Sequence, residues 1–190
     1  MKNNMKDKIL EAFYELVIED GIENSALSKL AKKIGINTSL IFHYYENKED
    51  LVSHFFDYVL ARSRDVFHFE DPSSEDIELA FEAYINRIIN LQYSKTDSKA
   101  YYTCYVLALR KDEYNKRFLE HKKTLLNILI DTIEYFKSKD VIHPKNVVNT
   151  ANYLEIITEG IANMRDFQVL DHDAETSIYL KKSIIHAMNN

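Results

Sequence analysis

Glycine, proline and cysteine are all scarce in this 190-residue chain, which has three Gly, two Pro and one Cys. Each shortage excludes something. Hairpins and tight β-turns draw on Gly and Pro at most reversals. Gly21, Gly35, Gly160, Pro72 and Pro144 are too few for an all-β fold and leave room for long helices. A single thiol, Cys104, excludes an internal disulfide and any multi-cysteine metal site, and it suits a reducing cytoplasm. Cys104 is expected to be a small buried hydrophobe and not a sensor. Long apolar runs are missing as well. Stretches such as Tyr105-Val106-Leu107-Ala108-Leu109 are far short of the roughly 20 residues that cross a bilayer. The charged start, Met1–Lys8, is not followed by the apolar stretch of a signal peptide. No membrane partner is expected, and the cytoplasm is the expected location.

Apolar residues make up 46% of the chain, enough for a globular fold with a substantial core. The formal charge of −6 argues against a nucleic-acid partner if only the total is considered. The distribution reverses that argument. Residues 24–45 contain Lys29, Lys32, Lys33 and His43 and no carboxylate, and the acids lie on either side. A local basic patch can meet phosphates while the acidic body disfavours indiscriminate binding.

Apolar spacing predicts an all-α chain of about nine helices. The first spans about Met5 to Asp20, with Ile9, Ala12, Phe13, Leu16 and Val17 on one face and Gly21 as its stop. Asn24-Ser25 offers an N-cap for a short helix, Ala26–Ile34, which Gly35 ends. Asn37 or Thr38 caps a third helix running to about Tyr45. Asn47, with Asp50 three residues on, opens a fourth that continues toward Arg64. Breaks follow at Asp71-Pro72-Ser73-Ser74, at Lys95–Ser98 and at Asp171-His172-Asp173. Between them lie helices at about Glu75–Leu91, Lys99–Arg110, Tyr114–Lys137, His143-Pro144 to Phe167, and Asp173 to Met188. No internal repeat or low-complexity tract is evident.

Three short helices with a glycine turn between the second and third are the pattern of a helix-turn-helix. The turn is Gly35-Ile36-Asn37; Ile36 plugs the angle between the helices, and small Ala31 lets them pass closely. The third helix would present its N-terminal residues to base edges in the major groove.

Residues 6–51 resemble the DNA-binding domain of the TetR (tetracycline repressor) family. The resemblance is carried by Ile9-Leu10-x-Ala12-Phe13-x-x-Leu16, Gly21, Ser25, Leu30-Ala31-Lys32-Lys33-x-Gly35-Ile36, His43-Tyr44-Tyr45 and Asn47-Lys48-Glu49-Asp50-Leu51. It covers about a quarter of the chain. Leu40-Ile41-Phe42 departs from it, standing where the family usually has Thr-Leu-Tyr. The resemblance implies a DNA-binding domain at residues 1–47 and a helical ligand-binding and dimerisation domain at 48–190. It also implies that Thr38, Ser39 and His43 face bases, and that Ser25, Ser28, Tyr44 and Lys48 contact phosphates with Lys32 or Lys33 assisting. Leu40 can touch a thymine methyl or tuck into the domain. Ser25 alternatively only caps a helix. Tyr45 is expected in the core, Tyr44 less so. Lys32 and Lys33 could equally form a plain solvated face.

The same resemblance implies a dimer bound to a near-palindromic double-stranded operator and released by a small, largely apolar effector. For the effector pocket, Tyr58, Tyr84, Tyr102, Tyr105, Phe118, His121 and Asn152 are the candidates, against a bulky aromatic core as the plain reading. The last two long helices would pair across the two-fold axis through Val148, Ala151, Ile161, Ala162, Met164, Ile178, Ile184, Ile185 and Met188, with Gly160 and Ala162 allowing close approach. Glu155 and Glu159, one turn apart, need a cation from Arg165, Lys181 or Lys182 or from a ligand, or else point to water. A second reading is a DNA-bound regulator or scaffold controlled by a protein partner. Neither metal nor cofactor is expected. No nucleophile–base pair, phosphate loop or spaced metal set marks an enzyme.

Overall fold

The computed structural model describes residues 2–69, 76–90, 96–170 and 173–189, with side chains from Met5 onward. Among the described residues the chain forms nine α-helices. They are α1 Lys2–Asp20, α2 Leu27–Ile34, α3 Thr38–Ile41, α4 Lys48–Ser63, α5 Ile77–Asn90, α6 Ser98–Arg110, α7 Asp112–Ser138, α8 Val147–Asp166 and α9 Ala174–Met188, with a 3-10 turn at Arg64–Val66. The all-α expectation holds. The expected break at Asp71-Pro72-Ser73-Ser74 lies outside the described residues, as do Lys95, Asp171-His172 and the helix ends placed at Glu75 and Leu91.

Local signals set most helix ends. Gly21 and Gly35 have φ of 78° and 69°, the left-handed region that costs glycine least. After α2, Gly35 N–H donates to the Lys32 carbonyl at 3.3 Å and Ile36 N–H to Ala31 at 3.0 Å. This is a Schellman stop, and it turns the chain directly into α3. Asn47 Oδ1 accepts from Asp50 N–H at 2.8 Å, and Asp50 Oδ2 accepts from Glu46 N–H at 3.0 Å, so the box-like cap of α4 forms. Asp173 caps α9 by accepting from Thr176 N–H at 2.7 Å.

Three ends differ from expectation. Ser25 is not the cap of α2; Ala26 holds that position without a side-chain bond. α8 does not open at Pro144 but at Val147, under an Asn146 cap accepting from Asn149 N–H at 2.9 Å. α3 stops at Ile41, and residues 42–45 continue as turns, with Tyr44 and Tyr45 N–H both donating to the Ile41 carbonyl.

The chain forms two compact units, Met1–Ser63 with Lys95–Phe118, and Arg64–Ser94 with Leu119–Asn190. The packing therefore crosses the boundary expected at residue 47: α4, α6 and the start of α7 share a core with α1–α3. In the first unit Phe13 of α1 meets Phe55 of α4 edge-on at 5.7 Å, amid Ile9, Leu30, Ile41, Leu51 and Cys104. Each such side chain contributes about 1.5–3 kcal/mol by leaving water. Arg117 of α7 fastens to α4. It donates to Ser53 Oγ at 2.9 Å and to the Ser53 carbonyl at 2.8 Å, pairs with Asp57, and lies over the Phe56 ring.

The second unit packs Phe81, Tyr84, Ile85 and Ile88 of α5 against Leu125, Leu129 and Phe136 of α7 and Ala151, Leu154 and Ile161 of α8. Ala151, Ile161, Ile184 and Met188, expected at a dimer seam, are buried in this unit's own core, because they fall on the faces that α8 and α9 turn toward it. Val148, Met164 and Ile178 remain exposed. The cation beside Glu155 and Glu159 is Lys122 of α7, 3.2 Å from Glu155, and not one of the three expected; Lys181 instead pairs with Glu82 at 2.8 Å.

Gly35 is required for its backbone angle, since an added Cβ would meet nothing within 4 Å. Gly35→Ala should lower stability by about 1–2 kcal/mol, and Gly35→Asn by less, as read from urea midpoints.

Candidate nucleic-acid interface

The candidate reading element is held from beneath. Ile41 and Tyr45 are 1% exposed and belong to the first unit's core. The Tyr45 hydroxyl donates to the Lys6 carbonyl at 3.0 Å, and its ring lies edge-on to His54 at 5.2 Å. Burial pushes the Tyr45 phenol pKa well up, so the hydroxyl stays a neutral donor. With these two residues pointing in, Ser39, Phe42 and His43 point out, and Phe42 is 51% exposed. Thr38, Leu40 and Tyr44 are half-buried at the rim, and the Tyr44 ring supports that of His43 edge-on at 5.2 Å.

The expected phosphate contacts are sorted by their partners. Ser28 is exposed on α2 and open to a ligand. Lys32 is exposed and has no ion pair among the described residues. Lys33 is tied to Glu19 at 2.8 Å and Glu15 at 3.3 Å, and Lys29 to Asp20 at 3.0 Å, so α1 neutralises most of the basic patch. Lys48 Nζ donates to the Ile22 carbonyl at 3.2 Å, holding the start of α4 to the α1–α2 turn. Ser25 is fully buried, and its hydroxyl donates to the Gly21 carbonyl at 2.7 Å. In this position it braces the turn from inside and offers no hydroxyl to a phosphate. Phe42 is the exposed aromatic that the motif comparison left without a role. Its signal was its place between Ser39 and His43 on the outer arc.

The expected effector candidates are divided between the two units. Tyr58, Tyr102, Tyr105 and Phe118 belong to the first unit; Tyr84, His121 and Asn152 belong to the second. Tyr58 accepts from Arg62 at 2.6 Å and meets Tyr14 edge-on, Tyr105 is 46% exposed, and Phe118 packs on Phe56. These side chains stiffen the first unit. In the second, Tyr84 is buried and donates to the Phe67 carbonyl at 3.2 Å. His121 is 4% exposed; burial, then Arg64 and Lys122, push its pKa down to about 3, so the ring is neutral. Asn152 is half-buried on α8. Cys104 is buried in the first unit, and burial raises its thiol pKa, which leaves it unreactive as expected. No described helix is long and apolar enough to cross a membrane.

A short helix whose outer arc carries Ser39, Phe42 and His43, set by a glycine stop against a second helix, defines the helix-turn-helix class. Residues 9–55 match the family of bacterial regulatory proteins, tetR family. The match lies in this N-terminal stretch, where the chain is similar to that family's DNA-binding domain. It is 29% identical over 101 residues to an HTH-type transcriptional regulator of Staphylococcus aureus strain USA300, a match covering 52% of each protein, so it spans about half the length of that relative. The whole fold is similar to a TetR transcription regulator from Haloarcula marismortui, with TM-score 0.74, 20% identity and 99% and 100% of the two chains covered. It is also similar to GusR of Salmonella enterica, with TM-score 0.70, 13% identity and 97% and 95% covered.

Tyr45→Phe removes an anchoring bond and should cost about 1 kcal/mol in urea unfolding, while Tyr44→Phe should leave stability unchanged. His121 supplies a pH signature. Its ordinary pKa is 6.5 and its folded value about 3, so between these the unfolded chain binds the extra proton. Stability should therefore fall as pH drops from 6.5 toward 3. In His121→Gln this part of the slope should vanish, as read from urea midpoints across the range.

Proposed function

We propose that the protein is a dimeric transcriptional regulator that binds double-stranded operator DNA through α2 and α3. In this reading it is a repressor released by a small, largely apolar ligand held in the second unit. The observation that carries the DNA-binding part is the outward arc of Ser39, Phe42 and His43, fixed from below by Ile41 and Tyr45. Ser39 and His43 supply hydrogen bonds to base edges, and Phe42 supplies an apolar contact of the kind that reads a thymine methyl. Thr38, Tyr44, Ser28 and Lys32 flank the arc and serve the backbone phosphates, which set register and not sequence. Leu40 lies at the rim beside Ser39. Lys33, held by Glu15 and Glu19, tunes local charge, Lys48 sets the start of α4, and Ser25 shapes the turn beneath.

In this reading residues 1–47 read DNA and residues 48–190 bind the ligand and the second subunit, with α4 and α6 packed on the reading domain. Exposed Val148, Ile156 and Met164 on α8 and Ile178 and Tyr179 on α9 are apolar groups that a second copy would cover. Tyr84 and His121, buried and polar amid an apolar core, with Asn152 on α8, are the groups in the second unit suited to orienting a ligand. A two-fold dimer places two reading arcs on half-sites about one helical turn, or a small multiple, apart.

Fluorescence anisotropy with the DNA upstream of the protein's own gene tests this reading. The wild-type chain should bind with an affinity that falls steeply with added salt. A Ser39→Ala/His43→Ala double variant should bind at least about tenfold more weakly, since a good base contact discriminates by about 1–3 kcal/mol. Lys32→Ala should weaken binding to all sequences alike. Equal affinity of wild type and the double variant would remove α3 as the reading element.

A further inference from the structure

Arg165 stands in the last turn of α8 and is 6% exposed. Its Nη1 donates to the carbonyl of Ile89, in the last turn of α5. Its Nε and Nη2 are buried and have no hydrogen-bond partner among the described residues. These two nitrogens form one edge of the guanidinium plane, with parallel N–H bonds matched in spacing to the two oxygens of an oxyanion. The unmet pair is thus a complete bidentate fork, not two scattered atoms. A buried charge normally gathers such partners, and leaving them out is costly.

Among the described residues no acid closes the fork. Asp173 acts on Arg165 through its charge, but its Oδ1 accepts from Thr176 N–H and its Oδ2 from Thr176 Oγ1, both at 2.7 Å, as the cap of α9. The nearby helix ends add polar groups. Ser177 of α9 bonds to Asn90, the last residue of α5, at 3.3 Å, and both are half-buried. A plain helix-capping role accounts for Nη1 alone. A cap needs one donor and can face water, whereas this guanidinium is buried with an edge that has no hydrogen-bond partner among the described residues.

We propose that the Nε–Nη2 edge of Arg165 anchors the carboxylate of a small-molecule ligand. The inference rests on the reading of the second unit as the effector-binding unit and names the chemical class of that effector. A carboxylate carries one negative charge and leaves the pair neutral among Ile85, Ile88, Ile89 and Ile161 of the same core. A phosphate dianion would leave a net charge there. The ligand is therefore an apolar molecule with a single acid group.

Thermal melts of the full-length chain in acetate, against chloride at equal ionic strength, test the anchor. Acetate should raise the wild-type Tm by about 2 °C. The shift should vanish in Arg165→Met and fall to less than half in Arg165→Lys, which keeps the charge and loses the fork. If Arg165→Met does not fold, an NMR titration of the wild-type Arg165 Nε–H resonance replaces it, with acetate moving that signal. No shift in wild type, an equal shift in wild type and Arg165→Met, or an unmoved Nε–H signal would overturn the anchor. A shift from sulfate larger than that from acetate would overturn the carboxylate assignment. None of these readouts involves DNA, so failure here leaves the reading of α3 standing, and loss of DNA binding leaves this result untouched.

Discussion

α3 has four residues and cannot be stable alone. Its first turn costs more backbone entropy than its hydrogen bonds return, and isolated helices need about 12–15 residues to be even marginal. Its geometry is therefore imposed by what lies on either side. The Schellman stop at Gly35 aims the chain, Ile41 and Tyr45 sink into the core, and the Tyr45 hydroxyl pins the end to the Lys6 carbonyl. The outward direction of Ser39, Phe42 and His43 follows from that inward anchoring, because a turn with two buried positions has only one arc left for solvent.

That dependence explains why the first unit extends past the three N-terminal helices. A core built from α1–α3 alone would leave the apolar side of α4 uncovered. Phe55, Phe56, Val59 and Leu60 close it, and α6 and the first turns of α7 cover α4 in turn. Arg117 fastens α7 to Ser53 and Asp57, one turn apart in the middle of α4. α7 is continuous from Asp112 to Ser138 and contributes its start to the first unit and the remainder to the second.

The charges follow the same logic. Lys29 and Lys33 belong to the basic stretch in sequence, yet in space they neutralise Asp20, Glu15 and Glu19 of α1. Lys32, between them, turns the other way and stays unpaired among the described residues. The surface around α3 is thus less basic than its sequence, which limits the sequence-independent attraction it can offer to phosphates.

Periodic and short-range features were legible in the sequence. The nine helices of the described residues, the glycine stops at 21 and 35 and the Asn47 and Asp173 caps all follow from residues within one or two turns of each other. Features that depend on distant partners were not. Ser25 looked like a cap, but folding aims its hydroxyl back at Gly21. Lys122, not a residue of α8 or α9, meets Glu155 and Glu159, because α7 lies alongside α8. Tyr58 packs on Tyr14 and Phe118 on Phe56 in the first unit, and aromatic type alone does not say which core a ring enters. Arg165 read as a counter-charge and is a buried fork whose Nε and Nη2 have no hydrogen-bond partner among the described residues. The sequence by itself determined where helices begin, where they stop and which side of each is apolar, because those are local energies. Only the tertiary structure decided which charges cancel, which hydroxyls are spent and which donors are left over, because those outcomes depend on which helices become neighbours.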